Sequence, residues 1–115
     1  MIHKIFIKLE DKLIARVTFE LPDGIWTDAI YLVGDFNNWQ RTTYPMQRER
    51  TGKWWLTVDL ELGHAYQFRY LAGSDHWLND SNADAYVLNP YGTDNFVVVT
   101  DPAFKPYCDK RDSLM

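Results

Sequence analysis

Two tryptophans sit where a folded core has little use for them. Trp39 closes the turn in LVGDFNNWQ, and Trp77 ends the polar run Gly73-Ser74-Asp75-His76-Trp77. A large flat side chain among Gly, Asp, Asn and Ser suits one kind of chemistry: stacking on an apolar ring face, with amide or guanidinium groups nearby to meet a polar rim. A pyranose offers such a surface, C–H groups on its face and hydroxyls around its edge, so a glucan is a ligand class that fits. The same tryptophans have a second use, as lids folded back over the open end of a β-sandwich.

Bond-breaking chemistry needs a nucleophile, a base and an orienting group, or two carboxylates across a bond. There is no GxSxG elbow, no Walker-type or GxGxxG loop, and His3, His64 and His76 lie at unrelated positions that read as ordinary surface or turn residues. Asp75, Asp80, Asp84 and Asp94 cluster in one loop-rich segment. Asp80-Ser81-Asn82-Ala83-Asp84 spaces its oxygens like the opening of a calcium loop, but Ala85 stands where the glycine belongs and Tyr91 where the closing glutamate belongs. Side-chain to backbone hydrogen bonds in turns explain these residues more simply. The expectation is no catalysis, no metal and no cofactor.

The elements that must position the tryptophans read as strands. Ala15, Val17, Phe19 and Leu21 alternate with Arg16, Thr18 and Glu20, and Pro22-Asp23-Gly24 closes the run. Trp54, Leu56, Val58 and Leu60 alternate with Trp55, Thr57 and Asp59; after Gly63 the rhythm resumes with Tyr66, Phe68 and Tyr70, as in a hairpin. Residues 29–33 and 96–100 are aliphatic runs, and residues 5–9 form a further edge strand. With no helical stripe, the pattern predicts an all-β antiparallel sandwich over residues 13–100, an N-terminal extension or edge strand over 1–12, and a tail over 101–115. Trp54 belongs to the core, and Trp55 either faces outward or sits under the N-terminal strand.

Composition narrows the partners. The 115 residues make one domain, and 16 acidic against 12 basic residues leave a net charge of −4. That balance argues against nucleic acid or an anionic membrane, since phosphate contact normally needs a basic face. Cys108, the only cysteine, allows no intramolecular disulfide and no cysteine-rich zinc site. The N-terminus lacks a signal-peptide pattern, and no segment approaches the ~20 apolar residues of a membrane span, so a cytoplasmic location is expected. Met1 and the non-sandwich tail predict a complete protein.

LVGDFNNW, then GKWWLTVDLELGHAYQFRYLAG, then HWLNDSNADAYVLNPYGTDNFVVV, together resemble the isoamylase N-terminal or early set β-sandwich, the family-48 carbohydrate-binding module. The likeness extends to the glycogen-binding domain of the AMP-activated kinase beta subunit and to small stand-alone bacterial proteins. It covers nearly the whole chain and implies an immunoglobulin-like sandwich that binds α-1,4-linked glucan or maltooligosaccharide without catalysis. By this resemblance Trp39 and Trp77 stack on glucose rings. Arg69 takes the place of a lysine that binds sugar hydroxyls, Tyr91 replaces an apolar residue pushed into the glucan, and Thr93 and Asn95 hydrogen-bond the sugar. The chain departs from the pattern in residues 72–76, one residue longer and without the usual Asp-Gly turn, and by a second one-residue shift before Gly92. Two other roles fit: a protein-interaction sandwich that has lost sugar binding, or an accessory domain acting with a separate glucan-active enzyme. The barrel of such an enzyme needs roughly 200 residues or more, which do not fit here.

Overall fold

The computed structural model describes residues 2–78 and 83–103. Alternation drives the first sheet. In β2 (Lys12–Leu21) the side chains of Ala15, Val17, Phe19 and Leu21 are all buried, while Arg16, Thr18 and Glu20 face outward. β1 (Ile2–Leu9) pairs along its whole length with one edge of β2, through a turn in which Glu10 and Asp11 both take positive φ. The other edge of β2 pairs with β5 (Trp54–Glu61), and the two-residue β4 (Gln47–Arg48) caps the start of β5. The sheet order is β1-β2-β5-β4, all antiparallel.

The second sheet is built on β6 (Ala65–Ala72). β3 (Ile30–Gly34) pairs with one edge of β6 over Phe68 to Ala72. The opposite edge is shared: β9 (Asp94–Val99) takes Ala65 to Phe68, and β7 (His76–Leu78) takes Tyr70 to Ala72. β8 (Ala85–Leu88) closes the far side of β9. The two sheets bury their facing side chains in one aromatic core. Phe68 lies 5.1 Å from Phe19 across the sandwich and 5.6 Å from Phe96 within its own sheet, edge to face in both cases. Edge-to-face pairs add to the burial of apolar area because the positive ring edge meets a negative ring face.

Three expectations change. Strands β5 and β6 are not a hairpin: β5 bonds to β2 and β4, β6 to β3, β7 and β9, so the chain crosses between sheets at residues 62–64. Both strands have one apolar face, and an arch packs those faces against each other where a hairpin would set them side by side. Thr100, fully buried, holds the arch: its hydroxyl donates to the Glu61 carbonyl at 2.6 Å and accepts from the His64 N–H at 3.0 Å. The segment read as loops contains β7 and β8, too short to show a period, and Trp77 stands on a strand. Gly34, which by sequence reads as the residue that lets the chain turn at the end of its strand, does not bend it. Its backbone is extended at φ −172, and glycine is needed because a Cβ there would lie 2.6 Å from the Gln67 carbonyl oxygen and 2.8 Å from the Phe68 Cβ.

Trp54 is buried, and Trp55 is half-buried on the outer face between Glu20 and Gln47. Trp26, in the β2–β3 loop, is 88% exposed. Asp84 accepts an ion pair from Lys4 of the opposite sheet and a hydrogen bond from the Val99 N–H, which is a structural use for its carboxylate. The three histidines are exposed; His3 pairs with Glu20 and His64 with Glu61. Asp80 and Cys108 lie outside the described residues.

Candidate functional site

The outer face of the second sheet carries the candidate residues because of its period. On β6, Phe68 and Tyr70 point into the core between the sheets, so Gln67, Arg69 and Leu71 lie on the outer face, where Leu71 is covered. Trp77 sits directly across from Leu71, which brings it to the same face, one pair along from Arg69. The Arg69 guanidinium lies over the Trp77 ring, 5.1 Å from its centroid. On β9, Phe96 faces in and Asn95 faces out beside Gln67, with a 3.1 Å hydrogen bond from the Asn95 amide to Gln67 Oε1.

Trp39 reaches this face through the turn after β3. A single 3-10 turn, Asp35–Asn37, is followed by Asn38 and Trp39, both left-handed at φ 56 and 58. Asn tolerates that region; for a tryptophan it is a strained position, of the order of 1 kcal/mol, that persists only when neighbours hold it. Three do. The Trp39 N–H donates to the Gly34 carbonyl at 2.9 Å, and its indole Nε1–H donates to Asp35 Oδ1 at 2.9 Å. Asp35 Oδ2 in turn accepts the Gln67 N–H at 2.7 Å, tying the turn to β6. Asn37 stitches the rest of the loop, accepting from the Gly34 N–H and donating to the Leu32 carbonyl and the Thr43 hydroxyl. Phe36 turns inward onto Phe19, Tyr44 and Tyr66.

The β8–β9 loop supplies the third wall, and Asn89 organises it. Its carbonyl oxygen accepts the N–H groups of Tyr91 and Thr93, and its amide donates to Thr93 Oγ1 at 2.8 Å and Asn95 Oδ1 at 3.1 Å. Tyr91, at the tip, is 90% exposed. Thr93 Oγ1 accepts from Asn89 and, at 3.4 Å, from Arg69 Nη1. With both acceptor sites used, its hydroxyl can add only a donated hydrogen bond.

Trp39, Arg41, Arg69, Trp77, Asn89, Pro90, Tyr91 and Asn95 line one open cleft of about 590 Å³. The structure therefore brings together five of the six residues singled out from the sequence, and it sets the sixth, Thr93, behind them against Arg69 and Asn89. Arg41 and Asn89 were missed. The Asn-Pro-Tyr-Gly run does mark a turn that an asparagine side chain would organise. Arg41 has no such signal; it is placed by a hydrogen bond to the Ser74 carbonyl and by its approach to Trp77, 5.6 Å from the ring centroid. Burial lowers the Arg69 pKa by disfavouring its charge, and the field of Asp94 opposes that shift. Its Nε is buried with no hydrogen-bond partner among the described residues.

Residues 27–92 match the family described as carbohydrate-binding module 48, the isoamylase N-terminal domain. The chain belongs to that family. The matched span holds Trp39, Arg69, Trp77 and Tyr91 and stops just short of Thr93 and Asn95. A stretch of 29 residues is also 52% identical to a 1,4-alpha-glucan-branching enzyme of Dictyostelium discoideum, covering 25% of this chain and 4% of that enzyme. The chain thus spans a small part of that relative. The antiparallel sheets are the immunoglobulin-like sandwich of carbohydrate-binding module 48, and the family's role is to bind carbohydrate.

Proposed function

We propose that this carbohydrate-binding module is a non-catalytic α-glucan binder whose platform is made by Trp39 and Trp77. The observation that carries the reading is the convergence of two tryptophans, Tyr91, Arg69 and Asn95 from four separate segments on one open cleft. Flat aromatic planes suit pyranose faces, and the guanidinium and amide groups suit the hydroxyl rim. The name of the branching enzyme supports an α-1,4-linked polymer as the ligand. The role follows: the module holds an enzyme, in the same or another chain, on glycogen-like or starch-like polymer.

The cleft is shallow and desolvates few contacts, so dissociation constants of roughly 1 μM to 1 mM are expected, about −8 to −4 kcal/mol. Calorimetric and tryptophan-fluorescence titration with maltoheptaose and β-cyclodextrin, with cellohexaose as the β-linked control, tests the reading. Saturable binding of the α-glucans alone is the expected result. Trp39→Ala and Trp77→Ala each cost ~2 kcal/mol of binding or more if the rings stack on sugar; unchanged affinity in both variants refutes the platform.

A further inference from the structure

Resting on that reading, we infer that the cleft prefers a phosphorylated α-glucan, with the phosphate monoester held by Arg41 and Arg69 while the neutral sugar rings lie on the aromatic surfaces. The charge at the cleft exceeds what a neutral ligand requires. Its described lining holds two guanidiniums and no carboxylate, in a chain whose net charge is −4. Of the other described cations, Lys4, Lys8, Lys12, Arg16 and Lys53 each hold a carboxylate, whereas Arg48, which stands over the Trp54 ring, and Arg50 hold none. Arg41 and Arg69 hold none within salt-bridge distance among the described residues. Arg41 has one long hydrogen bond to a carbonyl, and Arg69 has a hydroxyl partner and the more distant field of Asp94.

Both guanidiniums also stand over the same ring, that of Trp77. The ring's negative face holds each cation in place and limits the freedom of two long side chains before a ligand arrives. Both guanidiniums line the cleft and Arg69 is partly desolvated, so an anion bound there compensates charge that water screens only in part. Hydroxyls would accept hydrogen bonds there but would leave the charges uncompensated. A phosphate monoester offers acceptor oxygens that match the planar N–H fork of arginine, and charge-assisted bonds of this type are about twice as strong as neutral ones.

Calorimetry of the 115-residue chain with three probes tests this: maltoheptaose, maltoheptaose carrying one C6 phosphate monoester, and inorganic phosphate. The phosphorylated oligosaccharide should bind about tenfold tighter than the neutral one at low ionic strength, and the advantage should shrink as salt rises to about 0.5 M. In Arg41→Gln, a change in an exposed loop that leaves the sheets intact, the ratio of the two affinities should fall towards one. Arg69→Lys, which keeps the charge but loses the fork, should reduce the ratio in part. Equal or weaker binding of the phosphorylated form overturns the inference, as does a ratio unchanged in Arg41→Gln. Inorganic phosphate binding as tightly as the phosphorylated oligosaccharide would overturn it too, since the sugar would then contribute nothing. Failure of both oligosaccharides to bind refutes the glucan reading itself, a separate outcome.

Discussion

Replacing Asp35 by alanine removes the carboxylate that fastens Trp39 to the sheet. One oxygen accepts the indole N–H at 2.9 Å and the other accepts the Gln67 N–H at 2.7 Å. Hydrogen bonds to a charged acceptor contribute about 1.5–3 kcal/mol each when shielded, but this carboxylate is exposed and water can replace part of each bond. The expected loss of unfolding free energy is therefore about 1–2 kcal/mol, with Asp35→Asn, which keeps one carbonyl acceptor, near half of that. Binding suffers separately. Trp39 sits at φ 58, and without its indole tether the ring must be ordered again on the sugar, at a cost of about 0.5–1.5 kcal/mol, or roughly a two- to tenfold weaker affinity for maltoheptaose. Urea unfolding followed by tryptophan fluorescence measures the first effect and calorimetric titration the second. In a Trp39→Ala background the Asp35→Ala change should have little further effect on binding, because the ring it positions is gone. An equal loss of affinity in both backgrounds, or no loss of stability in Asp35→Ala, would refute the tether.

Other perturbations test the frame around the site. Gly34→Ala places a Cβ 2.6 Å from the Gln67 carbonyl oxygen, so the turn must shift away from β6; a loss of at least ~2 kcal/mol in urea unfolding is expected, together with weaker glucan binding. Thr100→Val leaves the Glu61 carbonyl and the His64 N–H without their partner in the buried arch and should cost about 2–3 kcal/mol, whereas Thr100→Ser, which keeps the hydroxyl, should recover most of it. Stability should also fall in acid. The Lys53 hydrogen bond lowers the Glu20 pKa, and the Arg16 hydrogen bond lowers that of Asp59, each against a smaller opposing effect of burial. Carboxyl groups depressed in the folded state stabilise it fully above their unfolded pKa, near 4, and lose that contribution as pH drops below it. Melting curves between pH 7 and 3 should show the decline, and it should be shallower in Arg16→Gln and Lys53→Gln.

Much of this architecture is written in short-range pattern. The alternation of Ala15, Val17, Phe19 and Leu21 with polar residues marks β2 and its buried face, because a strand turns successive side chains to opposite sides whatever lies beyond it. The same rule puts Arg69 opposite to Phe68, and the Gly-Asp-Phe-Asn-Asn composition marks the turn that carries Trp39. What lies outside such pattern is partnership. Whether β5 turns back on itself or arches over to the other sheet depends on Thr100, 36 residues beyond the His64 amide it receives, and no local period encodes that contact. β7 becomes a strand only because β6 has a free edge beside it, and that edge turns Trp77 from a loop residue into one fixed against Arg69. Arg41 joins the cleft through a carbonyl 33 residues away. Side-chain period is set by the backbone of each segment alone, whereas the cleft is set by which segments meet, and that is decided by burying both apolar faces at once.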